Sequence, residues 1–437
     1  MIWLPVLMTG GVLYASGKAL QRVKKPAWFA RQPAATDVQQ ADREMVVSAA
    51  SLGVAAAGGL LALPVLGWLS LPVSLYLFVP VIREAGQVVG KERRVNDQVL
   101  TTARLGVCVV MGYTFIAALD AGLHTLMHRI QVRNEAAWRQ ALRQRFGEDA
   151  QPLVAWLEQT SQQPTAAQQL GERMGSRAAP LMLATCVLST PVLGINRSAA
   201  FLTTFFGSHL RKLGPYTAHE FMRHALEQDI LLTHPQLLDQ AHKVDTVVFD
   251  GRILHDTVVC GQFGGIVRAL RQQQRAVYVF ADTDDRAGLI RQWQEEGKTV
   301  GYVGSGNNDL PAMQAANLAI LHRHQVLTEG NVPHILLPRA DLLPVLTVFE
   351  LADTFASRQQ FNLLVPIGVD VVDIATTLLL DFGLVYSVIF TYAGLMLGMG
   401  SARLPKLPQD KGQVVDPSLL VGQCQRGRRR YAAAPDK

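Results

Sequence analysis

Asp120, His124 and His128 recur at intervals of four residues. On a helix that spacing puts all three on one face. A carboxylate with two imidazoles inside a membrane could ligate Zn or Cu, or relay protons. The plainer reading is that His128 and Arg129 mark an aqueous interface while the other two pair with neighbouring helices. Asp370 and Asp373 lie three apart in an apolar run, just after Pro366. Intramembrane carboxylates are costly and face a cavity or a partner. This pair is either a membrane ion site or a brace that holds Arg197 or Arg104. The four cysteines, Cys108, Cys186, Cys260 and Cys424, are scattered without CxxC or CPC spacing, so neither a disulfide nor a thiolate metal site has a signature.

The elements that carry these residues are apolar. Of 437 residues, 49% are hydrophobic and only 17% charged, against about 25% charged in an ordinary soluble protein. That excludes a disordered chain and argues against a cytosolic enzyme. The net charge of +6 fits the Lys and Arg excess of cytoplasmic loops rather than nucleic-acid binding, because aromatic and basic residues are not interleaved.

The chain divides as follows. Residues 1–45 are an apolar start with a basic segment, read as a cytoplasmic-facing anchor or, alternatively, a signal-peptide core. Residues 46–130 form the first membrane helices, broken around Pro64 and Leu66, with Arg83 and Glu84 ending the second. The stretch 99–130 is one tilted helix or a tight pair. Residues 131–176 are a short cytoplasmic helical segment. Residues 177–214 form a membrane hairpin divided at Arg197. Residues 361–400 form a second hairpin, and 401–437 a basic cytoplasmic tail with RGRRR. Between them, 215–360 has a soluble composition. Val247–Phe249 runs into Asp250 as a buried strand, AVYVF (276–280) and TVGYV (299–303) are two more, and helices alternate with them. That pattern predicts a parallel α/β sheet. The fold class is therefore a multi-pass α-helical membrane protein with a cytoplasmic α/β domain, in an inner, cytoplasmic-type membrane. Its expected partners are membrane lipids and a protein within the membrane, with no nucleic acid.

Two motifs then carry a resemblance. VDTVVFD (244–250) and VGSGNNDLPAM (303–313) resemble the phosphorylation domain of heavy-metal-transporting P-type ATPases, a haloacid-dehalogenase-like fold. The segments 153–180 and 98–130 are similar to family membrane helices, and SARL (401–404) to the end of the last one, so the resemblance spans 46–404. It implies Asp250 as the nucleophile that accepts phosphate as an acyl phosphate. It implies Arg286 in place of the catalytic Lys, with Asn308 and Asp309 as further catalytic groups. Gly304, Ser305 and Gly306 would form the phosphate loop, with Asp250 and Asp309 as weak ligands of Mg, the cofactor this family uses. A transition metal ion would belong to the membrane part.

The departures are extensive. The Lys-Thr-Gly-Thr expected after the nucleophile reads Gly251, Arg252, Ile253, Leu254. The phosphate-binding hydroxyl after AVYVF is replaced by Ala281, followed by Asp282 and Thr283. An Mg-holding Asp is replaced by Ser305, a neutral and weak ligand. Asp250 and Gly304 are 54 positions apart, too close for a nucleotide-binding domain between them. No TGE of a dephosphorylating domain occurs. Gly207, Ser208 and His209 stand where the metal-gripping CPC belongs, followed by Arg211 and Lys212, which repel a metal ion. GSGNND also suits a plain tight turn, and Asp250 could be a relic that binds loop amides. The expected reading is a pseudoenzyme: a P-type ATPase-like scaffold, regulator or metal-handling accessory. The alternatives are a residual metal-cation ATPase or Asp-based phosphatase using Asp250, and a passive ion conduit.

Overall fold

The computed structural model describes residues 37–403 except 147–150, 162, 205, 206, 208, 256, 281–284, 305–309, 323–334 and 339–340, with backbone alone at 64, 151–154, 255, 257, 258, 260 and 261. The expected N-terminal anchor and the basic tail lie outside the described residues. So do Ser305, Gly306, Asn308 and Asp309.

The chain forms two compact units. The first takes residues from 37–137, 167–216 and 360–401 and is helical. α1 (Asp37–Leu60) packs on α2 (Pro64–Leu77), where a Cβ on Gly58 would meet the Gly67 amide nitrogen at 2.8 Å. Pro72 lies within α2. α3 (Val79–Gln87) follows at a 54° bend and runs through a π-helical turn to Glu92. The helix therefore continues past Arg83 and Glu84 instead of ending there.

α4 (Asp97–Met111) is capped by Asn96, whose side chain accepts from the Val99 amide. It ends at Gly112, which takes φ +68°. A left-handed residue there stops the helix, as Gly does at many helix C-termini. α5 (Thr114–Phe146) then reverses the chain, so 99–130 is a tight pair. After α6 (Gln151–Ser161), α7 (Ala166–Leu193) is a single helix across the boundary expected at 176. Gly194, at φ +75°, ends α7 three positions before Arg197, and the chain runs back along that helix as α8 (Ile195–Ser198) and a 3-10 turn (Ala199–Thr203): Ser189 donates to Ser198 at 2.9 Å, and a Cβ on Gly171 would meet the Arg211 amide nitrogen at 2.8 Å.

α9 (Leu210–Glu227), α14 (Leu343–Leu379) and α15 (Leu384–Ala402) complete the long helices. Three helical stretches among the described residues, Ala155–Leu193, α14 and α15, are long and apolar enough to cross a membrane, and the bent pair of α2 and α3 makes up to four. Leu188, Val192 and Leu379 leave 77%, 84% and 81% of their surface open. Such apolar exposure suits lipid and not water.

The second unit takes residues from 138–166, 217–359 and 402–403. Its elements are β1 (Leu231–Leu232), α10 (Gln236–Lys243), β2 (Thr246–Asp250), a 3-10 turn (Gly251–His255), α11 (Thr257–Gln272), β3 (Ala276–Phe280), α12 (Arg286–Glu295), β4 (Val300–Gly304), α13 (Leu310–Ala315), β5 (Leu318–His322) and β6 (Ile335–Leu337). The strands form one sheet in the order β1-β6-β5-β4-β2-β3, parallel throughout except for β1. β2 is central, with Phe249 opposite Val303 on one side and Val279 on the other. All five of its residues are buried, which is why it reads as a continuous apolar run. Phe249, Tyr302, Ile320, Leu270 and Ile290 belong to one apolar core.

Candidate functional site

A buried parallel strand flanked by two others delivers its last side chain into the crevice at the carboxyl end of the sheet. Here that residue is Asp250, with 0% exposure. Such a charge needs partners, and guanidinium groups supply them. The Arg252 Nε donates to Oδ2 at 2.9 Å and to Oδ1 at 3.3 Å, and its backbone amide donates to Oδ1 at 3.1 Å. Arg286 Nη1 lies 3.1 Å from the same Oδ1. Arg286 opens α12, behind Asp285, which caps the helix by accepting from the Gly288 amide. Its Nη1 also donates to the Tyr302 hydroxyl at 3.2 Å. Burial, followed by the Asp250 charge, pushes the Tyr302 phenol up to about 12, so at neutral pH it is a neutral donor and acceptor.

Gly251 is fixed by its surroundings. A Cβ there would meet the Phe280 carbonyl oxygen at 2.6 Å, so the backbone passes too close to β3 for any larger residue. A side chain at the position expected to be Lys would therefore need the backbone there to shift away from β3. Arg252 is the group the sequence underrated: its charge turns back onto the carboxylate two positions before it.

This arrangement bears on Mg. A dication would have to approach an Asp250 carboxylate already paired with two guanidinium groups. Gly304, buried at the end of β4, brings the start of the second motif beside Asp250's strand; residues 305–309 of that motif lie outside the described residues. Between Asp250 and Gly304 the described chain holds only the 3-10 turn, α11, β3, α12 and β4 itself.

In the first unit Asp120 and His124 of the predicted face meet different partners, while His124 and His128 line one cavity. Asp120 forms a buried, two-pronged pair with Arg104, from Nε to Oδ2 at 3.0 Å and Nη2 to Oδ1 at 2.9 Å. The Tyr392 hydroxyl donates to Oδ1 at 2.9 Å. His124 packs against Phe78 with the rings tilted by 36° and their centroids 4.9 Å apart. Arg129 reaches Asp42 at 2.5 Å, beside Arg133. Among the described residues no three His, Cys, Asp or Glu side chains gather as a metal-holding group.

Asp370 and Asp373 are both buried, at 2% exposure, but neither takes Arg104 or Arg197. Ser387 donates to Asp373 Oδ1 at 2.6 Å and Thr203 to Oδ2 at 3.2 Å. His209 Nε2 lies 3.7 Å from Asp370 Oδ1, while Oδ2 accepts no hydrogen bond. Arg197 instead caps the end of α14, donating to the carbonyls of Thr377 and Leu378, and pairs with Asp381 at 2.5 Å. A cation suits those unsatisfied carbonyls. Neither Tyr392 nor Ser387 could be foreseen as a partner, since each lies in an apolar run with nothing local to single it out.

No family model matches the chain. Over 136 residues, 30% of its length, it is 29% identical to copper-transporting ATPase 1 of Mus musculus, and it covers 9% of that protein. Two crystal structures of zinc-transporting PIB-type ATPases are similar in fold. One, in a phosphate-bound E2 state, has a TM-score of 0.57 at 11% identity over 83% of this chain and 99% of its own. The other, in a phosphorylated E2 state, has 0.52 at 11% identity over 82% and 98%. With its apolar helices and its sheet ending at Asp250, the chain is a membrane protein with an α/β domain whose fold is similar to that of zinc-transporting PIB-type ATPases.

Proposed function

We propose that the protein is a pseudoenzyme of the heavy-metal P-type ATPase type, a membrane scaffold, regulator or metal-handling accessory that transfers no phosphate. The observation that carries this reading is the pairing of both Asp250 oxygens with Arg252 and of Oδ1 with Arg286 as well. An acyl-phosphate mechanism needs a carboxylate free to attack, with exchangeable cations neutralising the incoming phosphate. Here the neutralising charge is tethered to the chain and occupies the nucleophile. The short connection between Asp250 and Gly304, without room for a nucleotide-binding domain, supports the same conclusion. The α/β unit faces the cytoplasm, the side that the positive-inside bias of the chain's basic segments favours for it. Its partners are lipids and another membrane protein.

The test is phosphorylation of the purified full-length protein with ATP and with acetyl phosphate, with and without Mg, beside Asp250→Asn. No label from either donor is expected. A hydroxylamine-sensitive phosphoprotein that disappears in Asp250→Asn restores the transporting ATPase or phosphatase reading.

One observation favours a second reading, an ion conduit through the first unit: the buried Asp370 oxygen without a hydrogen bond beside His209. Loss of cellular metal retention in Asp370→Asn and Asp373→Asn, with Asp250→Asn unchanged, would establish it, and neutral behaviour of both variants would dismiss it.

A further inference from the structure

Asp370 and Asp373 are buried on α14, and among the described residues neither pairs with a Lys or an Arg. Asp373 is met by two neutral hydroxyls, Ser387 at 2.6 Å and Thr203 at 3.2 Å. Asp370 has the His209 Nε2 at 3.7 Å from Oδ1 and no hydrogen bond on Oδ2. The two carboxylates repel each other. Two more buried oxygens on the same elements lack a hydrogen bond. Thr377 stands seven residues after Asp370 and four after Asp373, on one face of α14, and its Oγ1 has no partner. Thr204 follows Thr203 in the chain, and its Oγ1 is likewise buried and unpartnered.

We propose that Asp370 and Asp373 bind a hard, oxygen-seeking cation of the alkali or alkaline-earth class, with the Thr203 and Ser387 hydroxyls as further ligands. A buried carboxylate without a counter-charge is costly, and one cation shared by two of them relieves both. A hydroxyl that donates to a carboxylate keeps its lone pairs for a metal ion. The donors are carboxylate and hydroxyl oxygens with no sulfur among them, a set that suits hard cations rather than thiophilic metals. His209 gives the site an entry. It also lines a cavity of about 220 Å³, as does Thr391, whose hydroxyl donates to the Thr203 carbonyl at 3.0 Å. The cationic Arg104, Arg211 and Lys212 of that cavity are balanced by Asp120, Asp97 and Glu84, so no net positive charge bars a cation's way. The proposal rests on the site of the conduit reading and names its ion class, but an ion can bind there without crossing.

The experiment uses full-length protein in nanodiscs, with radiolabelled Na⁺ in one arm and radiolabelled Ca²⁺ in the other, which separates a monovalent from a divalent occupant. Saturable binding in one arm or both is expected. Asp370→Asn and Asp373→Asn should each weaken it about tenfold or more, since affinity follows ligand charge. Ser387→Ala, which keeps both charges, should weaken it about threefold. In choline buffer without either ion, the unfolding midpoints of the two Asn variants are expected to match or exceed wild type, because each removes an uncompensated charge. Adding the ion should raise the wild-type midpoint and not theirs. Midpoints below wild type for both Asn variants in choline would mean that the chain itself already neutralises the pair, and would overturn the proposal. So would binding of neither ion, equal binding by both Asn variants, retention of Zn²⁺ alone, or a wild-type midpoint that rises on acidification but with neither ion. Uptake of the labelled ion into proteoliposomes is scored separately: binding without uptake keeps the site and dismisses the conduit.

Discussion

Replacing Asp250 with Asn separates a structural carboxylate from a waiting nucleophile. In an enzyme poised for phosphate and magnesium, an isolated buried anion is a burden on the empty fold, and neutralising it leaves stability unchanged or raises it. In this protein Asp250 is bonded by Arg252 at 2.9 and 3.3 Å and faces Arg286 at 3.1 Å. Hydrogen bonds between charged groups contribute about 1.5–3 kcal/mol each. Removing one partner of a buried pair costs about 3–5 kcal/mol, because the other charge is stranded. Arg252 keeps 32% side-chain exposure and can turn toward water, whereas Arg286, at 10%, cannot. Asn also retains one carbonyl acceptor. The net expectation is a loss of about 2–3 kcal/mol. For a unit of this size that is roughly 5–10 °C of unfolding midpoint. Trp293 packs on Tyr278 and Phe280, with ring centroids at 4.7 and 5.5 Å, so its fluorescence reports on the site's own sheet during thermal or urea unfolding. A midpoint equal to or above wild type would refute the reasoning and make Asp250 a functional carboxylate again.

Gly251→Ala places a Cβ 2.6 Å from the Phe280 carbonyl and should cost about 1–3 kcal/mol, the usual range for overpacking; the same unfolding assay checks it. Arg104→Leu strands Asp120 and should lower thermal stability in detergent by about 3–5 kcal/mol, while Arg104→Leu with Asp120→Leu should recover much of the loss. Asp239, in α10, has its carboxyl raised by burial, against the lowering effect of the Ala166 amide and nearby Lys243 and His242. The folded state therefore holds this proton to higher pH than the unfolded chain does. Its contribution to stability falls as pH rises through the folded value, and is regained on acidification down to the unfolded one. Asp239→Asn should raise the midpoint at neutral pH and gain progressively less as the pH approaches the unfolded carboxyl range; an equal gain at every pH would assign the effect to something other than this proton.

The sheet was legible because its strands are short apolar runs punctuated by Asp250 and Gly304, a pattern that few alternatives share. The strands Leu318–His322 and Ile335–Leu337 were not singled out, since each is a brief apolar run without a chemical landmark. The membrane unit was legible as apolar helices, but its pairing was not. Arg104 and Asp120 looked like interruptions of a span, and they are each other's solution: Gly112 folds the stretch back so that residues 16 apart in sequence meet. Arg197 sits beside no carboxylate of α14 because the carbonyls at that helix's end compete for it. The i, i+4 spacing placed Asp120, His124 and His128 on one face, but spacing says nothing about which neighbour each reaches across that face.

Asp250 and Asp120, two buried carboxylates with guanidinium partners, share a physical logic. Asp250 in the sheet and Asp120 in the membrane unit each meet a charge delivered by the chain itself, Arg252 with Arg286 in one case and Arg104 in the other. A tethered guanidinium neutralises a carboxylate as an ion would, but it stays with the chain instead of exchanging with solution. A pump needs the reverse, charges that arrive and leave in each cycle. If that logic governs this protein, freeing Asp250 with Arg252→Thr and Arg286→Lys together should create Mg²⁺ affinity, measurable by calorimetry on the full chain, where wild type shows none. Equal Mg²⁺ binding in wild type and the double variant would mean that the guanidinium groups do not exclude the metal, and the static reading of the site would fall.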